Sequence, residues 1–173
     1  MLNKTVETAI NTQIKHEFYS AYLYLSMSAY CETINLPGFA RWMRVQYQEE
    51  LAHALKFFDF VNDREGSVEL QAIEQPPGEF QSPLDIFQQS LKHERKVSSL
   101  IHQLYEVAVK EKDYPTQTLL QWFITEQVEE EKSASQIVEQ LKIIGNDGGR
   151  CCCWIASWGR GVRRRRVRNR VTR

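Results

Sequence analysis

The stretch REGSVELQAIEQPPGEFQ, Arg64–Gln81, lies between two pairs of long helical patterns. A connection of about twenty residues is long for a compact domain, but it is about the length needed to run back along a long helix. The other connections are very short. One helix is predicted from about Thr5 to Ile34 and the next from Pro37 to about Asn62. A third follows Ser82 and ends near Lys112, and a fourth runs from about Pro115 to just before Gly145. Short links impose antiparallel hairpins, and the long link carries the chain from one hairpin to the other. The prediction is an all-α chain, a four-helix bundle with one long crossover connection.

Local signals agree with these limits. Pro37 suits the first turn of a helix. In Ser82-Pro83-Leu84-Asp85 the serine can cap, the proline fits the first turn, and the aspartate supports the positive end. At ~1.5 Å per residue each helix spans on the order of 40 Å.

The chain has 173 residues, 22 acids, 22 Lys and Arg, and no formal net charge. That balance hides a split. From Arg150 onward there are nine arginines and no acid, so residues 1–149 carry a charge of −9. An acidic body suits cations and argues against nucleic acid as partner. No apolar run approaches a membrane span, and no apolar signal region opens the chain, so the expectation is a cytoplasmic protein without a membrane partner. The body holds one cysteine, Cys31, which excludes a disulfide scaffold there.

Each helix carries an apolar seam at 3-4 spacing. The seams read Ile10, Ile14, Glu17, Ala21, Tyr24; then Phe39, Met43, Gln46, Glu50, His53, Phe57, Phe60. The third reads Leu84, Phe87, Leu91, Glu94, Ser98, Ile101, Tyr105, and the fourth Leu120, Phe123, Gln127, Glu130, Ala134, Ile137, Leu141. Every seam is interrupted near its middle by a carboxylate. A single such acid is most simply an edge-of-core residue paired with a base. Four at compatible depth are different, because burying one ion costs several kcal/mol and the four repel one another. The seams offer no Lys or Arg at that level. Either several are protonated or cations lie between them.

The donor types choose the cation. Glu17, Glu50, Glu94 and Glu130 offer oxygens and His53 an imidazole nitrogen, a set suited to iron, manganese or zinc. Glu50 and His53 at i,i+3 share one face. Four carboxylates balance two divalent ions, so a dinuclear site is expected at the centre of the bundle. Di-iron bundles place Glu-x-x-His on two helices. Here the second helix has it and the fourth has Gln127…Glu130 instead. One ion then lacks a nitrogen ligand and should exchange more easily, which favours storage over a permanent cofactor.

Five stretches carry a resemblance: EFYSAYLYLSMSAY (17–30), LPGFARWMRVQYQEELAHA (36–54), KHERK (92–96), KDYPT (112–116) and LLQWFITEQVEEEK (119–132). Over residues 1–147 the chain resembles a non-haem ferritin of the bacterial and archaeal type, and that stretch is expected to form a ferritin-like di-iron domain. The resemblance implies a ferroxidase centre in which Glu17, Glu50 and His53 hold one iron and Glu50, Glu94 and Glu130 the other. Gln127 matches a position beside the second iron. Glu49, Glu126 and Glu129, sharing Glu130, match an accessory third iron site. Tyr24 and Trp122 match residues near the centre that can supply an electron, and core packing is the plain alternative for both. Glu131 and Lys132 are expected on the solvated face. The implied function is iron storage and detoxification: Fe²⁺ is oxidised by O₂, and ferric oxo-hydroxide is deposited inside a cage of 24 subunits. Haem is not expected, because Leu51 stands where bacterioferritin has its haem-binding Met and Gln127…Glu130 departs from its Glu-x-x-His. Gln117 and Leu120 stand where animal ferritins place acidic channel residues.

Residues 148–173 depart from the family. RCCCWIASWGRGVRRRRVRNRVTR, Arg150–Arg173, replaces the fifth helix that lines the fourfold axes, which puts closure of the cage in question. Three adjacent cysteines lack the C-x-x-C spacing of metal sites. The run of arginines reads either as a natural tail suited to electrostatic binding of nucleic acid or a membrane, or, as the preferred expectation, as the product of a shifted reading frame: one choice of codons for Arg150–Gly159, read from the third base, spells LLLLDRELG, which has the character of a fifth helix. Two other functions compete with storage. One is a rubrerythrin-like di-iron oxidoreductase or peroxidase, opposed by the missing rubredoxin module. The other is an inert helical interaction protein, opposed by the four mid-seam carboxylates.

Overall fold

The computed structural model describes residues 2–145. Four helices account for most of them: α1 Lys4–Thr33, α2 Pro37–Asp63, α3 Pro83–Lys110 and α4 Tyr114–Ile144. Each boundary lies within two residues of the sequence expectation. The domain limit at residue 147 and the Arg- and Cys-rich tail lie outside the described residues. Among those residues no helix is long and apolar enough to cross a membrane.

The helix starts follow from capping chemistry. Asn3 accepts from the Thr5 amide at 2.8 Å, Ser82 from the Asp85 amide at 3.1 Å, and Asp113 from the Thr116 amide at 3.0 Å. α2 has no side-chain cap and relies on Pro37 in its first turn. Three helices end in the same turn. After α1, α2 and α3 the chain passes through Asn35, Glu65 and Lys112, all at φ near +55°. In each turn the next amide bonds back five residues: Leu36 to Cys31, Gly66 to Val61, and Asp113 to Ala108. At Gly66 a Cβ would come within 2.9 Å of Val61 and 3.1 Å of Leu2 and Glu7, so glycine lets the turn press against the start of α1.

The crossover runs alongside α1. Asn11 donates to the Ser67 carbonyl and accepts from the Glu69 amide. Further on, Lys15 pairs with Glu74, Ser26 donates to the Pro77 carbonyl, and the Tyr30 hydroxyl donates to the Phe80 carbonyl. Contacts that climb α1 in step with the loop show that the chain travels the length of the bundle before α3 begins. α3 therefore starts beside the end of α1, and the two hairpins close into one bundle.

The core is split in two. One cluster gathers Tyr24, Met27, Cys31, Phe39, Met43, Phe87 and Ile137, among others. The other gathers Val6, Ile10, Ile14, Phe57, Ile101, Leu120 and Phe123. Each of these large side chains contributes about 1.5–3 kcal/mol on burial. Between the clusters, at mid-height on every helix, lies a buried polar belt. The two apolar halves hold the helices rigidly enough to carry it.

Candidate metal centre

The belt contains Glu17, Glu50, His53, Glu94, Gln127 and Glu130, none more than 6 % exposed. The apolar seams explain the placement. Ile14 and Ala21 bury the face of α1 that carries Glu17, and Phe57 and Met43 do the same for Glu50 and His53. Among the described residues, one group of three or more donors lies mutually within 4.8 Å: Glu17, Glu50 and His53. His53 Nδ1 stands 3.6 Å from Glu50 Oε2 and 3.9 Å from Glu17 Oε2.

Glu94 and Glu130 reach the belt from α3 and α4. The Tyr24 hydroxyl donates to Glu94 Oε1 and meets Ser90 Oγ at 2.9 Å. Gln127 donates to both the Glu94 carbonyl and Glu94 Oε2 at 3.2 Å. Gln46 donates to Glu130 Oε2 at 2.9 Å, and Gln13 to Glu17 Oε1 at 2.7 Å. Glu50 Oε2 and Glu130 Oε1 are buried with no hydrogen-bond partner.

No Lys or Arg pairs with any of the four carboxylates among the described residues. The consequence is electrostatic. Burial, and then the neighbouring Glu50 charge, push the Glu17 carboxyl up to about 8. Burial, with Glu94 next, pushes Glu130 up to about 8. Glu50 is raised well above the usual range by burial and then by Glu94 and Glu130. Burial also raises Glu94, against the opposing bonds from Tyr24 and Gln127. Without a cation the belt holds protons at neutral pH; a divalent ion would displace them. An unsatisfied buried Glu50 oxygen beside the His53 imidazole, with Glu17 converging on both, forms a donor set that fits a transition metal.

A family model described as a ferritin-like domain matches residues 7–144. The chain belongs to the ferritin-like family. It is 42% identical over 148 residues to a bacterial non-heme ferritin of Bacteroides fragilis, covering 86% of this chain and 93% of that one. It is 40% identical over 147 residues to a bacterial non-heme ferritin of Staphylococcus haemolyticus, covering 85% and 89%. Among solved structures it matches an open pore ferritin from Archaeoglobus fulgidus at 49% identity and TM-score 0.90, covering 91% of this chain and 96% of that one. An engineered closed form of the same archaeal ferritin matches with the same TM-score and identity. The ferritin-like four-helix bundle read from Arg64–Gln81 is the fold of these proteins.

Several sequence expectations meet a more detailed picture. Glu49 and Glu126 are half-buried and Glu129 is exposed, and the three do not converge as closely as the Glu17 group. Their charges still reach the belt: Glu49 and Glu126 both help to raise Glu130. Glu131 is not simply solvated. It accepts from Ser98 at 2.5 Å and lies 3.8 Å from Arg95 Nε, so it ties α4 to α3. Trp122 is 40% exposed and therefore not a core residue. One edge of it meets the His53 ring at 5.4 Å, and Lys56 Nζ sits 3.7 Å over its face. Leu120 is fully buried and offers no side chain to a channel.

Gln13, Ser90 and the bonding role of Gln46 were not assigned from sequence. A signal exists for all three: each lies four residues before a seam carboxylate, one helical turn away on the same face. The surprise is direction. Gln13 turns to the acid of its own helix, whereas Gln46 reaches across the bundle to Glu130.

Proposed function

We propose that this chain oxidises Fe²⁺ with O₂ at the buried belt and stores the ferric product as an oxo-hydroxide. Iron is the substrate and cargo. His53, Glu17 and Glu50 hold one Fe²⁺; Glu50, Glu94 and Glu130 hold a second, with Gln127 beside it and Glu50 between the two. Glu49, Glu126 and Glu129 offer an accessory third position at the edge of the belt. The electrons pass from Fe²⁺ to O₂. The protein supplies geometry, negative charge and an exit, and the metal supplies the redox chemistry. Haem plays no part, and the storage vessel is a cage of copies of the chain, as the ferritin relatives suggest.

The observation that carries this reading is the pair of buried, unpartnered oxygens, Glu50 Oε2 and Glu130 Oε1, in a belt with no cationic side chain. An inert bundle gains nothing from such a belt, since an apolar replacement would be more stable. The asymmetry between His53 on α2 and Gln127 on α4 supports passage of iron over permanent retention. The test is aerobic addition of many Fe²⁺ per chain, followed by oxidation rate, retained iron and particle size. Retained ferric iron in a large particle supports storage. Turnover without retention points to a di-iron oxidoreductase instead, and no oxidation refutes the centre.

A further inference from the structure

The oxygens of the belt are divided among neutral donors. Gln13 takes Glu17 Oε1 at 2.7 Å, which leaves Oε2 toward His53 Nδ1. Gln46 takes Glu130 Oε2 at 2.9 Å, which leaves Oε1 bare. Glu94 has a donor on each oxygen, Tyr24 on one and Gln127 on the other. Glu50, at the middle of the set, keeps Oε2 bare.

We infer that Gln13 and Gln46 are positioning residues with separate duties: Gln13 sets Glu17 for the cation shared with His53, and Gln46 sets Glu130 for the cation shared with Glu50 and Glu94. The inference rests on the dinuclear reading above. The terminal torsion of a glutamate is broad and two-fold, so an unheld carboxylate samples many orientations. An amide N–H on one oxygen fixes that torsion and takes one of that oxygen's two lone pairs, which favours approach of a cation to the other oxygen. A lysine or arginine would also orient the carboxylate, but its charge would compete with the metal. An amide orients without competing. Glu50 needs two free directions if it lies between two ions, and no glutamine holds it.

Both amides are deeply buried, Gln13 at 3% and Gln46 at 5% exposure. Burying an amide is unfavourable unless it is bonded, and each bonds a site carboxylate. Gln13 acts within α1. Gln46 spans from α2 to α4, so it also sets the spacing of the two helices that would share the second cation. Partners of this kind tune metal affinity about 10–100-fold in metal sites generally.

The test uses the full chain stripped of metal and titrated with Co²⁺, followed by d–d absorption and calorimetry. Gln46→Met and Gln13→Met keep approximate shape and lose the donor. Gln46→Asn and Gln13→Asn keep an amide too short to reach, and they replace the Met variants if those fail to fold by thermal unfolding. The expected result is a crossed pattern. Gln46→Met weakens the second Co²⁺ step about tenfold or more and leaves the first within about threefold; Gln13→Met does the reverse. Equal weakening of both steps by each variant would mean a merely structural role and would overturn the assignment, as would folded variants with neither step moved. A wild-type chain showing a single step in the belt refutes the dinuclear reading instead. The Gln13 half then stands if Gln13→Met weakens that step and falls if it does not.

Discussion

Asp113 holds Arg64 with both carboxylate oxygens, at 3.0 Å each, while Oδ1 also caps α4 through the Thr116 amide. One side chain thus fastens the end of α2 to the start of α4. Asp113→Asn keeps a capping oxygen and loses the charge-assisted pair, and a cost of about 1–2 kcal/mol is expected. Asp113→Ala loses the cap as well and costs about 2–4 kcal/mol. The Arg64 guanidinium holds the Asp113 carboxyl below its ordinary value of 3.8. A depressed acid stabilises the fold at pH above its unfolded value, and that contribution is lost as pH falls through the folded value. Urea unfolding at a series of pH values should show the gap between wild type and Asp113→Asn closing below pH 3.8.

Asn35, Glu65 and Lys112 end three helices in the left-handed region, which for residues other than glycine costs roughly 1–2 kcal/mol. Asparagine tolerates that region better than glutamate or lysine. Glu65→Gly and Lys112→Gly should each stabilise the fold by about 0.5–1 kcal/mol, and Asn35→Gly by less. Thermal unfolding of the three variants in metal-free buffer measures the order. Zero or negative shifts would mean that flexibility gained by the unfolded chain matches or outweighs the relief of strain.

Glu50 stands among Glu17, Glu94 and Glu130 with an unpartnered buried oxygen, and burial together with the Glu94 and Glu130 charges raises its carboxyl well above the usual range in the metal-free chain. Native pKa values raised above the unfolded value of about 4.5 mean that the folded state holds extra protons. Stability of the metal-free wild type should therefore fall as pH rises from about 4.5 to about 8. Glu50→Gln removes one of these acids without changing shape. It should be more stable than wild type above pH 8 by about 1–3 kcal/mol, with a smaller gain at pH 5. The same variant should lose fast Fe²⁺ oxidation. Denaturant melts at two pH values, paired with stopped-flow oxidation, check both halves, and a destabilised Glu50→Gln at high pH would contradict the electrostatic account.

The fold was legible because its signals are local and redundant. Arg64–Gln81 is too long for a hairpin link, Ser82 and Pro37 mark helix starts, and four seams keep one period. The mid-bundle burial of Glu17, Glu50, His53, Glu94 and Glu130 was legible for a different reason: a charged residue in a buried stripe is costly enough to need an explanation. Glutamines are cheaper to bury, and Gln46 stood in the α2 seam without a role although it bonds Glu130. Its partner could not be read from spacing, since the nearest acid on its own face is Glu50 and the one it bonds is Glu130 on another helix. Glu131 was misjudged by the same limit. Its contact with Ser98 depends on the approach of α3 to α4, which no single-helix pattern encodes. Core packing, the plain alternative for Trp122, does not hold, because Trp122 falls one position outside the buried stripe that Phe123 occupies.

Phe57 of α2 stacks on Phe123 of α4 with ring centres 4.0 Å apart and planes 13° from parallel. Phe123 also meets the His53 ring at 5.7 Å between centres, so it forms an apolar wall against which the histidine rests, with Phe57 stacked upon it. Phe57→Ala and Phe123→Ala should each cost about 3–5 kcal/mol, since both rings are almost wholly buried. A double-mutant cycle should return a coupling of about 0.5–1.5 kcal/mol for the stack. Milder variants separate wall from core. Phe123→Leu keeps most of the volume but removes the flat face behind His53, so it should weaken the cation step proposed for His53, Glu17 and Glu50. Phe57→Leu, which alters the ring stacked on Phe123, should lower stability by a similar amount and leave that step in place. Co²⁺ titration of the two leucine variants, beside their denaturation curves, reads the difference. Equal weakening of that step in both would show that the wall acts only through the general stability of the bundle.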